Sequence, residues 1–209
     1  MIAVLAAKEE EVAVLKDQLA SPVEIYLEHF LGYNGFIDGK EVVVLRTGAG
    51  PKNSRIAVDN LLDYCHPEII LSVGWAGGAT REISQGDVIV ANIIYCGYNE
   101  ALPPIRCDKN LYNKALNALN GFCSGGSLTV SHPLLLPEEK RTAGKKYPVV
   151  MVEMESYEIA LATKRENVPF LTIRVITDPV ESVATLAAPR TNSPTKRLNE
   201  AVISFIKAV

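Results

Sequence analysis

VVMVEMESYEIALATKRENVPFLTIRVITDP, residues Val149–Pro179, is the stretch on which the reading of this chain turns. Val149–Val152 is a short apolar run rich in β-branched residues and free of Gly and Pro, which predicts a buried strand. Glu153 and Glu155 follow at i, i+2, and if the strand persists that far they share a side. Ser156–Arg165 carries Ile159, Ala160 and Ala162 among polar neighbours and predicts a helix, stopped by Asn167-Val168-Pro169. Phe170–Ile176 is again a buried strand, except that it contains Arg174 and runs out to Asp178. Two apolar strands flanking a helix predict a βαβ unit and a parallel sheet. Ligands of such sheets sit beyond the carboxyl ends of the strands. Glu153, Glu155 and Asp178, with Arg174 behind them, are therefore expected to converge on a site. A plainer reading stays open for each acid. Asp178 before Pro179 suits a turn or an N-cap, and Glu155 suits a first helical turn.

The 209 residues fit one α/β domain spanning 1–209, and 48% hydrophobic content is ample for a core. The expected architecture is a three-layer α/β/α fold with a central mixed sheet. A net charge of −3 argues against a nucleic-acid partner, whose binding surface would be basic. No apolar stretch reaches membrane-spanning length, and the start, Met1–Ala7, reads as a strand without the basic region of a signal peptide. Cys65, Cys96, Cys107 and Cys123 lack paired CxxC spacing, and His29, His66 and His132 lie far apart. Neither a metal site nor a disulfide framework is expected. The expectation is a cytoplasmic protein that needs no cofactor.

In chain order, Ile2–Ala6 predicts a buried strand and Glu9-Glu10-Glu11 opens a helix to about Leu19, its acids favourably placed against the helix dipole. Pro22–Phe30 reads as a strand. Asn34–Arg46 reads as a hairpin around Asp38-Gly39. Thr47–Pro51 is a glycine turn into a helix over Lys52–Tyr64. Ile69–Val73 is a central strand ending in a second glycine turn, Gly74–Gly78, and Val88–Tyr95 is a long strand. Gly97–Arg106 reads as a surface loop able to rim a site. Helix Lys109–Leu119, strand Leu128–Ser131, helix Pro137–Ala143, loop Val180–Pro194 and a closing amphipathic helix Thr195–Val209 complete the chain.

The two glycine turns each follow an apolar strand, so their amides could approach an anion or a sugar. Neither has dinucleotide-fingerprint spacing, and there is no GxxxxGK[ST] phosphate loop. Together these pieces have a recognisable order. Leu5–Val12 with its EEEV segment, Thr47–Asn53, Val73–Gly78, Gly86–Val90, and above all Val152-Glu153-Met154-Glu155 followed by Val168-Pro169-Phe170 and Arg174–Asp178 resemble the purine nucleoside phosphorylase and uridine phosphorylase superfamily. The resemblance spans nearly the whole chain and is closest to nucleosidases acting on methylthioadenosine and S-adenosylhomocysteine.

That resemblance implies cleavage of the N-glycosidic bond of a purine nucleoside by water. It implies Asp178 as the general acid toward N7 of the base and Glu11 as the base for water, with Arg174 nearby. It implies Glu155 as acceptor from the ribose 2′- and 3′-hydroxyls, Met154 packed on the sugar, Thr177 supporting the acid, and a homodimer. Glu153, Trp75, Leu135 and Gly77 complete the implied site. Trp75 stands where these nucleosidases have Ser, Leu135 where they present an aromatic ring, and Lys8 where they have Met. Asp178-Pro179 and the loop behind it are more like the phosphorylase-like branch associated with hopanoid synthesis, which acts on adenosylated lipids. Phosphorolysis, with phosphate as co-substrate, and a binding relative without catalysis are the alternative readings.

Overall fold

A computed structural model describes residues 1–118, 123–184 and 193–209. Along them run β1 Ile2–Ala6, α1 Glu9–Asp17, β2 Ala20–Leu27, β3 Phe30–Ile37, β4 Lys40–Arg46, α2 Pro51–Tyr64, β5 Ile69–Gly78, β6 Val88–Cys96, β7 Ile105–Arg106, α3 Lys109–Ala118, β8 Cys123–Thr129, α4 Pro137–Lys146, β9 Met151–Glu153, α5 Ser156–Arg165, β10 Phe170–Asp178 and α6 Ser193–Ala208. The sheet is mixed, in the order β10-β6-β8-β9-β5-β1-β4-β3-β2. Helices flank it in two groups, α2 with α5 and α1 with α6 and α3. The expected α/β layering with a central mixed sheet is therefore what the chain forms. Its central strands are buried on both faces, which is why they read as unbroken apolar runs rather than alternating ones.

β5 is the strand on which both halves of the sheet meet. Its first half pairs parallel with β1, it runs parallel to β10 from Ile70 onward, and Gly77 and Gly78 pair antiparallel with β9. β10 pairs antiparallel with β6, β6 parallel with β8, and β8 parallel with β9. The strands β5, β10, β6, β8 and β9 thus close into a ring, which removes two sheet edges. On the other side β1 and β4 extend the parallel sheet, and β3 and β2 finish it as an antiparallel meander.

Several expectations change. β9 and β10 do not form a parallel βαβ unit: β10 is parallel to β5 and β9 antiparallel to it. The helix between them carries the chain across the ring instead of returning it beside itself. Gly74–Gly78 is not a turn but the last half of β5, where Gly74 and Gly77 admit the ends of Arg174 and Asp178 from β10. Pro22–Phe30 is divided by a tight turn, with Glu28 at φ +54°, into β2 and β3. The Asp38-Gly39 hairpin forms as expected, both residues at positive φ. β8 begins at Cys123 rather than Leu128 and ends at Thr129, and α4 continues past Ala143 to Lys146. Leu119 and residues 185–192 of the loop read as Val180–Pro194 lie outside the described residues, and Pro194 belongs to α6.

Candidate active site

Where β5, β9 and β10 meet the loops after β8 and β10, they leave a cavity of about 620 Å³. That size suits a nucleoside-sized ligand. Of the residues singled out from sequence, Glu11, Trp75, Gly77, Leu135, Glu153, Met154, Glu155 and Asp178 line it, as do Lys8 and Thr177. Arg174 lies fully buried behind the wall. The loop 97–106 contributes nothing to the lining; its Pro103 carbonyl and Tyr98 hydroxyl bind Tyr157 and Glu158 of α5 instead.

Asp178 ends β10 at an irregularity in register. Ile176 pairs Ala76 but Asp178 pairs Gly77, leaving Thr177 as the extra residue of a bulge. A bulge breaks the alternation of a strand and re-aims side chains, so Thr177 and Asp178, adjacent in sequence, both face the cavity. The Thr177 hydroxyl donates to Asp178 Oδ1 at 2.8 Å, and Lys140 Nζ donates to Oδ2 at 2.8 Å.

Glu11 sits in the first turn of α1, buried except where it meets the cavity. Its Oε2 accepts from the Lys8 amide and its Oε1 from the Trp75 amide, both at 2.8 Å. Asn199 of α6 holds α1 from behind, donating to the Glu11 carbonyl at 2.8 Å and accepting from the Leu15 amide at 2.6 Å. Burial pushes the Glu11 carboxyl up from its ordinary value, opposed by the charge of Arg174 and by the two amides. Trp75 binds Glu11 through its main-chain amide; its indole donates to Thr195 Oγ1 of α6 at 3.2 Å, with the Lys8 ammonium 5.2 Å from the ring. The hydrogen bond to Glu11 thus comes from the backbone of β5 and not from the indole.

Glu153 and Glu155 reach the same cation, though β9 ends at Glu153 and Glu155 caps α5. Arg174 Nη2 donates to Glu153 Oε2 at 2.8 Å and lies 3.5 Å from Glu155 Oε2. Glu153 is consumed by the fold. Its Oε2 also accepts from the amides of Glu155 and Ser156 and from the Ser156 hydroxyl, and its Oε1 from the Thr129 hydroxyl. Glu155 Oε1 accepts from the Gly50 amide at 3.0 Å, at the N-terminus of α2. Gly48 and Gly50 hold φ of +74° and +93° there, a region glycine enters without strain. The first glycine turn is thus the mount for Glu155.

Arg174 Nε and Nη1 have no hydrogen-bond partner among the described residues. Nη1 lies beside Gly74, where a Cβ would stand 2.3 Å from it and 2.6 Å from Glu11 Oε1. The arrangement can therefore hold a small polar group between a cation and two carboxylates. Three residues further along β5, beside Gly77, it offers an aspartate, and Leu134, Leu135, Val130 and Met154 supply apolar lining to the same cavity. The loop bearing Leu135 is tied to the segment after β10, its carbonyl accepting from the Ala184 amide at 2.8 Å. Among the described residues no cluster of His, Cys, Asp and Glu could hold a metal, and no helix is long and apolar enough to cross a membrane.

Sequence reasoning missed Lys140, which sits in a Glu138-Glu139-Lys140-Arg141 run that looks like a solvated helix start. It also missed Thr129, Ser156 and Ser72, hydroxyls whose role around Glu153 and Arg174 depends on strand order.

A family model described as the phosphorylase superfamily matches residues 1–207. The 5′-methylthioadenosine/S-adenosylhomocysteine nucleosidase of Staphylococcus haemolyticus (strain JCSC1435) is 30% identical over 196 residues, covering 85% of this chain and 86% of that protein. The crystal structure of the corresponding nucleosidase from Neisseria meningitidis, in complex with methylthio-immucillin-A, superposes with a TM-score of 0.91 at 22% identity, over 100% of this chain and 99% of that one. A futalosine hydrolase mutant of Helicobacter pylori strain 26695 superposes with a TM-score of 0.92 at 18% identity, over 100% and 99%. At those identities the two structures speak for the fold, and the family model and the Staphylococcus relative speak for descent. The chain belongs to the phosphorylase superfamily, with 5′-methylthioadenosine/S-adenosylhomocysteine nucleosidases among its relatives.

Proposed function

We propose that residues 1–209 act as a single unit that hydrolyses the N-glycosidic bond of a purine nucleoside, with adenine as the base, in the manner of its nucleosidase relatives. The observation that carries this reading is the separation of duties within one cavity. Along β5, Glu11 and Arg174 stand at Gly74 and Asp178 at Gly77, and Glu11, Glu155 and Asp178 line the same cavity with Leu134, Leu135 and Met154. Asp178 gives N7 of the leaving purine a proton, which spares the reaction an anionic leaving group. The Glu155 carboxylate accepts from the ribose 2′- and 3′-hydroxyls, Met154 packs on the sugar, and Leu135 lies over the base. As the C1′–N9 bond breaks, the ribosyl group gains oxocarbenium character. Water held between Glu11 and Arg174 attacks C1′ and passes a proton to Glu11. Glu153 and Gly77 shape the site without bonding the substrate, and Trp75 borders the nucleophile.

Water is favoured over phosphate on electrostatic grounds. The two amides at the start of α1 and in β5 that could hold an anion are taken by the Glu11 carboxylate. A phosphate dianion would also meet Glu155 beside it. The same reading includes no cofactor, no nucleic-acid partner, a cytoplasmic location and a homodimer, the last supported by resemblance to the family. The test is adenine release from 5′-methylthioadenosine, S-adenosylhomocysteine and inosine, with and without phosphate. Free ribosyl product without phosphate, and its loss in Glu11→Gln, are expected. Strict phosphate dependence with a ribose 1-phosphate product makes the enzyme a phosphorylase, and binding without any release makes the chain a nucleoside-binding protein.

A further inference from the structure

Lys140 is a buried cation that the mechanism above leaves unused. It lies on α4 with no exposed surface at all. Gly144, four residues on and so on the same helical face, explains how. A Cβ there would fall 2.3 Å from the Ala79 carbonyl, so α4 packs its backbone directly on the chain leaving β5. The Lys140 side chain then runs past Gly77, whose missing Cβ would stand 3.3 Å from Lys140 Cδ and 3.0 Å from Asp178 Oδ2. Its ammonium donates to Asp178 Oδ2 at 2.8 Å, the Pro179 carbonyl at 2.7 Å and the Ser182 carbonyl at 2.8 Å. Those three acceptors match the three N–H groups of an ammonium ion. With Thr177 on Oδ1, each oxygen of Asp178 already carries a donor.

An aspartate in an ion pair is an acceptor, and it has no proton to give a leaving purine. An unperturbed aspartic acid is half ionised at about pH 4 and almost wholly so near neutrality, so an acid working there needs a proton source. We infer that Lys140 is that source, and that Lys140 and Asp178 act together as one donor holding one transferable proton. The inference rests on the reading of Asp178 as the acid toward the leaving base. As C1′–N9 breaks, its electron pair stays on the purine. N7 takes a proton from the Asp178 carboxyl, and Asp178 takes one from the Lys140 ammonium. The base leaves neutral, and the pair is left as carboxylate and free amine. Water captures the ribosyl cation and gives its proton to Glu11. Solvent then collects that proton from Glu11 and returns one to Lys140, so the net reaction consumes only water. Lys140 acts here through Asp178, as a positioning residue that also stores the proton.

The test compares Lys140→Arg and Lys140→Met on two substrates. 5′-Methylthioadenosine needs its leaving base protonated, whereas p-nitrophenyl β-D-ribofuranoside releases a phenolate that leaves without help. Arginine keeps the charge but does not give up a proton in proteins. Both variants are expected to lose about 100-fold or more in kcat on the nucleoside, with KM within about threefold, and to keep p-nitrophenol release within about threefold. Nucleoside turnover at the wild-type rate in Lys140→Arg shows that the charge alone suffices and overturns the inference. Equal losses on both substrates, failure to fold included, show that Lys140 only holds the structure and overturn it too. Asp178→Asn separates the two levels. If it turns over the nucleoside normally, the acid reading itself fails; if it is dead while both Lys140 variants are active, only the proton source is wrong.

Discussion

Glu155 is subject to two opposed demands. Burial pushes its carboxyl up to about 7; the Arg174 charge pulls it down, Glu153 and Glu11 push it up, and the Gly50 amide favours the ion. Accepting from two ribose hydroxyls needs the ionised form, since a protonated carboxyl spends one oxygen as a donor. Binding of a ribonucleoside should therefore release a proton near pH 6.5 and weaken by about tenfold for each unit below the carboxyl's value. Calorimetry in two buffers of different ionisation heat checks this with a non-hydrolysable adenine ribonucleoside. A 2′-deoxyribonucleoside should show a smaller pH effect, and Glu155→Gln should hurt ribonucleosides far more than deoxyribonucleosides. Equal losses on both would remove Glu155 from the sugar site. Asp178 makes a sharper case. Asp178→Asn keeps the shape but holds no transferable proton, so purine release should fall by at least about 100-fold, near 2.7 kcal/mol of barrier. Turnover within about tenfold of wild type, in protein shown folded by circular dichroism, counts against it as the acid.

At the scale of elements, the site depends on how closely β5 lets its neighbours approach. Gly74 is the narrowest point. A Cβ there meets the ends of Arg174 and Glu11, and the backbone holds φ at +156°, which residues with a side chain rarely adopt. Gly74→Ala should therefore cost both activity and stability. The expected outcome is a fall in kcat of about 10- to 100-fold, with a melting temperature lowered by several degrees. A large loss of stability with normal specific activity would mean that Gly74 serves packing alone. This is also where reading the sequence reached its limit. The apolar runs of β1, β5 and β10 were legible because double burial leaves no alternation to confuse. The acids of β9 and β10 were legible because charged residues ending apolar strands are costly unless used. The direction of β9 relative to β10 was not legible. Strand order arises from long-range pairing with β5 and β8, and no local pattern around Glu153 encodes it. Gly74–Gly78 looked like a turn for the same reason, because glycine marks close approach as often as it marks a bend. Lys140 stayed hidden since only the fit of Gly144 against Ala79 turns that face of α4 inward.

For the whole molecule, the site is a concentration of like charge that folding has to tolerate. Glu11, Glu153 and Glu155 are all buried, and Arg174 is the cation set among them. Glu11 and Glu155 are raised above their ordinary value of 4.5 by burial, with Arg174 opposing in both. A raised folded-state value means the folded protein binds protons that the unfolded chain has released. The contribution of these acids to stability is thus fully present below about pH 4.5 and declines as pH rises, for Glu155 through about 7. Arg174→Met keeps much of the volume and removes the compensation, so both carboxyls move higher still and the decline becomes steeper. Breaking a buried pair from one side costs about 3–5 kcal/mol. That deficit is expected at pH 8, where the carboxylates must stay charged, and should shrink markedly at pH 5, where the folded state can protonate them. In a chain of this size each kcal/mol lowers the melting temperature by about 2–4 °C, so thermal melts at the two pH values resolve the difference. A deficit of the same size at both would mean that Arg174 fills space among the strands and that its charge is not what makes three buried acids compatible with the fold.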